Sequence, residues 1–255
     1  KELGEQRQGM SQLELRGRCR EYAEKFIDIQ RQEFKRLGVV GDWENPYLTM
    51  SYDYEATIAR ELGKFITRGS VYKSKKPIYW CSSCRTALAE AEVEYEEHQS
   101  PSIYVKFPLI DNLGQKVSAL NGQKVFVIIW TTTPWTIPAN LAIALHPDYE
   151  YAVVKFGDEA WIIADGLVEE VMAKAEISDY EILARLAAAD LEGMKCHHPF
   201  IDRESIIVQA PYVTLDVGTG CVHTAPGHGR EDFETALKYD LEVYSPVDDD
   251  GCFTA

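Results

Sequence analysis

The first residues whose types suggest chemistry are three consecutive threonines at the end of an apolar run. Thr131, Thr132 and Thr133 lie in Trp130-Thr131-Thr132-Thr133-Pro134-Trp135-Thr136-Ile137-Pro138-Ala139-Asn140, directly after Val125 to Ile129. Pro134 cannot continue a strand ladder, so the hydroxyls fall in a rigid loop. Hydroxyls so placed can hold a water, a ribose or a carbonyl. Threonine is also an ordinary strand residue and the tryptophans can simply pack, so residue types alone leave both readings open. A second stretch runs Gly218-Thr219-Gly220-Cys221-Val222-His223-Thr224-Ala225-Pro226-Gly227-His228-Gly229-Arg230-Glu231-Asp232-Phe233. Its four glycines let backbone approach a ligand closely, and the helix expected to follow points amide N–H groups back at the same place. His223 and Asp232 can then face one pocket. The glycine spacing is no nucleotide fingerprint: GxGxxG is absent and no Gly-Lys-Ser/Thr follows. His223, His228 and Asp232 are conceivable metal ligands, but the step between the histidines crosses a Pro-Gly turn and no helix pins them.

Cys81-Ser82-Ser83-Cys84 has the spacing of a zinc knuckle, with a reactive dithiol as the rival reading. A structural zinc site needs four ligands, and no second Cys-x-x-Cys exists. Cys196 with His197 and His198 is the one other dense group, and His198-Pro199-Phe200 reads as the start of a strand. The spacing therefore predicts half a zinc site, completed by residues outside this chain, against the alternative of an empty thiol pair. Serine-nucleophile chemistry has no support, since no Gly-x-Ser-x-Gly elbow occurs.

The elements that must position these residues are of two kinds. Up to about residue 70 the pattern is helical. Ser11 and Glu14 form a capping-box pair, Leu15, Cys19, Tyr22, Phe26 and Ile27 recur at helical spacing, and Gly38 supplies a stop. A second helix is predicted from Asp53 to Arg68, its apolar face formed by Ala59, Leu62, Phe65 and Ile66, with Gly69 as its stop. Both faces stay exposed unless something else covers them, which suggests part of a larger α/β domain. From Ile78 the texture becomes that of strands and turns. Strands are predicted at 103–107, 124–130, 149–156, 160–164, 205–209 and 221–223, and helices at 166–175 and 230–239, the latter with Glu231 and Asp232 in its first turn.

Composition sets the outer limits. The 255 residues, 45% of them hydrophobic, suffice for one large domain or two unequal ones. The longest apolar run, Val125 to Trp130, is too short to cross a bilayer, and the charged start at Lys1, Glu2, Glu5 and Arg7 has no signal-peptide core; a soluble, cytoplasmic chain without membrane contact is expected. Cys19, Cys81, Cys84, Cys196, Cys221 and Cys252 do not read as a disulfide framework. A net charge of −15 excludes a surface that binds nucleic acid everywhere. Any RNA contact must be local, at Arg16, Arg18 and Arg20 or at Val71-Tyr72-Lys73-Ser74-Lys75-Lys76, where plain solvated charge is the equal alternative.

The threonine motif paired with the Gly218 to Gly229 motif resembles the editing insertion, connective polypeptide 1, of isoleucyl-tRNA synthetases. Asp42-Trp43, Tyr47-Leu48-Thr49-Met50, Tyr79-Trp80-Cys81, Thr86-Ala87-Leu88-Ala89-Glu90-Ala91-Glu92-Val93-Glu94-Tyr95 and Pro246-Val247-Asp248-Asp249 extend the resemblance over nearly the whole chain. Valyl and leucyl relatives usually carry Arg or Lys after the first two threonines; Thr133 here favours isoleucyl. The resemblance implies an α+β fold: a β-barrel-like editing domain with peripheral helices at 99–255, incomplete at its C-terminal end, a half zinc knuckle and linker at 81–98, and at 1–80 a helical remnant of a Rossmann-type catalytic domain. Neither ATP-site signature motif of class I synthetases occurs, so ATP-dependent ligation is expected of a full-length parent and not of this piece.

A hydrophobic pocket rejects valine by only about 1–3 kcal/mol for the missing methylene, a magnitude for which this enzyme family is itself the standard case. The resemblance implies a second, smaller pocket that hydrolyses valyl-tRNA(Ile). Asp232 would pair with the substrate ammonium, and His223 would set the size limit. Thr131, Thr132 and Thr133 would position the terminal adenosine, the ester and the attacking water. Trp135 and Asn140 would shape the wall, with Gly218 and Gly220 bringing backbone close to the substrate. The implied partners are the tRNA(Ile) 3′ end carrying valine and the remaining synthetase domains. Editing requires no cofactor in this reading, and zinc would sit on Cys81 and Cys84. The alternatives are a tRNA-end or zinc-ribbon binding module without hydrolysis, or the editing domain of a valyl or leucyl relative.

Overall fold

In the computed structural model, which describes residues 4–120 and 122–254, the chain divides into two compact units, Lys1–Ser74 and Lys75–Ala255. The first is built on α1 (Gln12–Arg36) and α2 (Tyr52–Thr67). Helix α1 starts as its sequence dictates: the Glu14 amide donates to Ser11 Oγ at 3.3 Å and the Ser11 amide to Glu14 Oε2 at 2.8 Å. Gly38 and Gly69, both at positive φ, follow the two helices as stops. Arg20 joins them, pairing with Glu55 at 3.3 Å and lying over the Tyr52 ring. Neither helix buries a residue, and Leu13, Phe34, Leu62, Phe65 and Ile66 stand exposed. The amphipathic pattern is thus present without a core to receive it.

The second unit opens with a hairpin, β1 (Tyr79–Cys81) and β2 (Thr86–Leu88), whose turn holds Cys81 to Cys84. The strands that follow are β3 (Ile103–Pro108), β4 (Lys124–Thr131), β5 (Ala142–Leu145), β6 (Glu150–Phe156), β7 (Glu159–Ala164), β8 (Glu181–Ala187), β9 (Lys195–His197), β10 (Glu204–Gln209) and β11 (Cys221–Thr224). One sheet has the order β3-β4-β7-β6-β8 and the other β11-β5-β10-β9; β4–β7 and β5–β10 are the parallel pairs. Short helices α3 (Val168–Lys174), α4 (Ala188–Leu191) and α5 (Arg230–Lys238) lie between or after them. All six predicted strands and four predicted helices are present. β1, β2, β5, β8 and β9 had not been predicted.

The two sheets meet at a corner where Leu109 bridges Cys196 and the Ile110 amide donates to the Lys195 carbonyl at 2.8 Å. They also share one core, in which Phe107, Ile129 and Ile162 of the first sheet pack with Ile143, Leu145 and Ile207 of the second. The result is the α+β arrangement that the sequence implies, with two open sheets over one core. Tyr151 ties its centre together: its hydroxyl donates to the Gly220 carbonyl at 2.9 Å and accepts from the His146 amide at 2.8 Å.

Gly220 has φ +68°, and a Cβ there would lie 2.3 Å from Ala164 Cβ. Strain at positive φ and overpacking each cost about 1–3 kcal/mol. Gly220→Ala is therefore expected to destabilise the chain by about 2–4 kcal/mol, read as a lowered urea midpoint with an unchanged slope; a midpoint within error of the parent's would contradict this packing.

Candidate functional site

Strand β4 ends in the threonines because Pro134 diverts the chain into a 3-10 turn, Pro134–Ala139. Thr131 is buried, and its Oγ1 accepts from the Thr133 amide at 3.0 Å and lies 3.2 Å from Thr133 Oγ1. One threonine thereby folds the loop back on itself and leaves Thr132 and Thr133 exposed. Ser100 Oγ donates to the Thr132 carbonyl at 2.6 Å and fixes the far side of the loop.

Three groups hold the turn from beneath. His198 Nε2 is 2.8 Å from the Ile137 carbonyl and Arg203 Nη2 donates to the Pro138 carbonyl at 2.6 Å. The amides of Phe200 and Ile201 point at His198 Nδ1, which assigns the proton to Nε2. Ser205 Oγ donates to Asn140 Oδ1 at 2.6 Å, while Asn140 Nδ2 donates to the Ala142 carbonyl at 2.8 Å. Asn140 is fully buried, so it anchors the end of the turn with both ends of its amide. Trp135 is half exposed, edge-on to the His228 ring at 5.1 Å.

Strand β11 brings His223 against this turn. Thr136 Oγ1 donates to the Thr133 carbonyl at 2.8 Å, so it must accept from His223 Nε2–H at 3.0 Å. The tautomer is thereby set, and Nδ1 is left buried with no hydrogen-bond partner. Burial, with smaller contributions from His198 and His228, pushes the His223 pKa down to about 4, so the ring is neutral near pH 7.

Two residues beyond His223, the Ala225 amide donates to Asp232 Oδ2 at 2.9 Å; Tyr212 donates its hydroxyl to Oδ1 at 3.2 Å. Burial raises the Asp232 pKa above the usual aspartate value, and these two hydrogen bonds oppose the rise. Gly229, the residue at the N-cap of α5, must lack a side chain, because a Cβ there would come within 2.8 Å of the carboxylate. Gly218, at φ +87°, packs on the Trp130 side chain, and Gly220 lies in the core beneath. The threonine loop, His223 and Asp232 thus form one neighbourhood, with Gly218 beside it. Thr136, Tyr212, the Ala225 amide, His198 and Arg203 belong to it as well, and sequence reasoning had assigned none of them a role. Thr136 carried a signal as a fourth threonine in the same loop, and His198 as part of the Cys196-His197-His198 group.

The histidines make an acid-sensitivity prediction. His223, His198 and His228 are all held below their ordinary pKa by burial. On unfolding they take up protons as pH falls below the ordinary imidazole value of about 6.5, so the stability they confer is complete above it and is lost as pH falls; for His223 that loss runs from about 6.5 to about 4 and amounts to about 3 kcal/mol. Asp232, with its raised pKa, acts in the opposite sense and favours folding at lower pH. Urea midpoints are expected to be flat from pH 8 to 6.5 and to drop below it; a flat profile down to pH 4.5 would contradict the buried neutral histidines.

In the hairpin turn the Cys84 amide points at Cys81 Sγ at 3.4 Å, and this contact draws the Cys81 thiol below its ordinary pKa. Arg85 follows at φ +50°. Trp80 donates its indole N–H to the Asp249 carbonyl at 2.9 Å and Arg85 Nε donates to Asp250 at 2.6 Å, so the segment after α5 lies against the hairpin. Among the described residues no group of three or more His, Cys, Asp or Glu side chains is placed to hold a metal, and no helix is long and apolar enough to cross a membrane. Of the basic candidates, Arg18 pairs with Glu21 at 3.2 Å, Arg20 is taken up by Glu55, and Tyr72 stands exposed.

The family model of the class I tRNA synthetases of the I, L, M and V group matches residues 1–209, and the chain belongs to that family. Within that class it is similar to isoleucine–tRNA ligases, 57% identical over all 255 residues to that of Desulfotalea psychrophila and 56% identical over 251 residues, 98% of this chain, to that of Geobacter sulfurreducens. Each match occupies 27% of the relative, so the chain spans about a quarter of the length of these curated relatives. Similar solved structures include the P. falciparum cytosolic leucyl-tRNA synthetase editing domain (TM-score 0.46, 12% identity, 55% of this chain and 68% of that one). The P. knowlesi cytosolic counterpart gives TM-score 0.45 and 11% identity over 56% of this chain and 66% of that one.

Proposed function

We propose that this chain carries the proofreading site of an isoleucine–tRNA ligase and hydrolyses valine from mischarged tRNA(Ile), within a full-length cytoplasmic enzyme that joins isoleucine to that tRNA with ATP. The observation that carries the reading is the convergence of three chemistries on one neighbourhood. They are exposed threonine hydroxyls, a neutral buried histidine, and a carboxylate with two of its roughly four lone-pair sites in use.

The remaining lone pairs of Asp232 receive the substrate's α-ammonium, and His223 limits the side chain that fits. Thr132 and Thr133 hold the adenosine end and the water, with Thr131 fixing their loop. Water adds to the ester carbonyl, the hydroxyls donate to the developing oxyanion, and the bond to the ribose oxygen breaks as a proton lost by the water passes, through solvent, to that oxygen, releasing valine and the free tRNA end. The ester is already activated, so no protein nucleophile is needed. A histidine with pKa about 4 is a poor base near pH 7, which favours discrimination over proton abstraction as the role of His223.

The Cys84 amide directed at Cys81 Sγ is suited to a thiolate and hence to half of a zinc knuckle, the other ligands lying outside this chain. Zinc would there be a structural tie. The uncovered apolar faces of α1 and α2 are read as surfaces for the remaining synthetase domains.

Mixing the chain with valyl-tRNA(Ile) should release valine faster than spontaneous hydrolysis, with the rate unchanged by a chelator. Binding of the tRNA without release would indicate a docking module, and loss of the activity with chelator would indicate a metal hydrolase; either result would overturn the reading.

A further inference from the structure

We infer that Tyr212 is a positioning residue for the Asp232 carboxylate, its phenol hydroxyl forming, with the Ala225 amide and the bare Cα of Gly229, a three-sided clamp that orients the carboxylate toward the substrate ammonium. This deepens the editing reading and rests on it. The clamp has parts from three places in the chain. Tyr212 Oη lies 3.2 Å from Oδ1, the Ala225 nitrogen 2.9 Å from Oδ2, and any Cβ on Gly229 would collide with the same carboxyl group. A carboxylate held on both oxygens cannot rotate about its terminal torsion without losing a bond, so the direction of its remaining lone pairs is set before substrate arrives.

The position of Tyr212 is itself determined elsewhere. Its ring packs against a small second core of Ala142, Ala144, Val208, Ala210 and Val213, on the strands β5 and β10 and the segment after them. The anchor of the site is therefore held from the four-stranded sheet and not only from its own helix. Glu231 is the charged neighbour that acts on Asp232 from α5, while β11 carries His223 and the segment after it His228, both held below the ordinary imidazole pKa by burial. Tyr212 is thus the side-chain donor that favours the ionised form of Asp232, alongside the Ala225 amide.

Tyr212→Phe keeps the ring in that core and removes only the hydroxyl. The test is the pH profile of kcat/KM for valyl-tRNA(Ile) deacylation by the full chain, with the Asp232 carboxyl carbon titrated by NMR in parent and variant. Loss of one hydrogen bond to a charged group should move the acid limb and the NMR titration up together by about 1–2 pH units, with a rate loss of about ten- to a hundredfold on the acid limb and under about twofold at pH 8. Superimposable titrations, or an equal loss at every pH, would overturn the clamp. Should the parent release no valine, the editing reading fails, and the NMR titration still decides whether Tyr212 holds the carboxylate.

Discussion

Asp232→Ala is expected to slow valine release from valyl-tRNA(Ile) by about 30-fold to several thousand-fold, because removing one partner of a buried, hydrogen-bonded charge pair costs about 2–5 kcal/mol. The substrate ammonium would then face a pocket without a counter-charge, in surroundings dry enough to raise the carboxyl's own pKa. Alanine also strands the Ala225 amide and the Tyr212 hydroxyl, so part of its effect is structural. Asp232→Asn separates the two contributions. An amide oxygen still accepts from one of those donors while the charge is gone, so the fold should survive and most of the activity should not. Near-normal release by both variants, in protein whose melting temperature matches the parent's, would remove Asp232 from its role.

His223→Ala is expected to change selectivity more than rate. The ring sits 3.0 Å from Thr136, buried and neutral, and on the proposed reading its removal opens space for the larger side chain that the ring would exclude. Isoleucine exceeds valine by one methylene, worth only about 0.8 kcal/mol in favourable transfer, so exclusion of isoleucine must be steric and should vanish with the ring. The variant should cleave isoleucyl-tRNA(Ile) at a rate within about tenfold of valyl-tRNA(Ile). Thr136 keeps its bond to the Thr133 carbonyl, so the loop should hold its shape. An unchanged preference for valine would mean that another side chain sets the limit.

Much of this was legible in the chain because the signals were local. Ser11 and Glu14 announce the start of α1, and the alternation in Ile103–Pro108 and the apolar run of Lys124–Thr131 announce β3 and β4. Five strands were not legible: β1 and β2 are three residues each and paired only with one another, and the other three were hidden for reasons of their own. Ala142–Leu145 is only four residues long and buried throughout, so it shows no alternation, and its strand character comes from sitting between β10 and β11. Glu181–Ala187 carries Ile182, Leu183 and Leu186 at a spacing equally suited to a helix, and pairing with β6 decides it. Lys195–His197 is three residues supported by β10 and the corner bridge at Leu109.

The site divides in the same way. The threonines, His223 and Asp232 stand in long motifs and could be named. Tyr212, twenty residues before Asp232, and His198, sixty-one after Ile137, act through contacts that only the packing of the two sheets creates. Asn140 had been expected at the pocket wall; the structure commits its amide to Ser205 and Ala142. A buried amide of this kind cannot be told from a substrate-facing one by spacing, since both occur where a turn ends.

The most direct test of the account is deacylation of valyl-tRNA(Ile) and isoleucyl-tRNA(Ile) measured side by side with the purified chain. Hydrolysis of the valyl ester alone, abolished by Asp232→Ala, is the predicted result. Equal hydrolysis of both esters, or valyl hydrolysis that survives the loss of Asp232, would contradict a selective pocket anchored on that carboxylate.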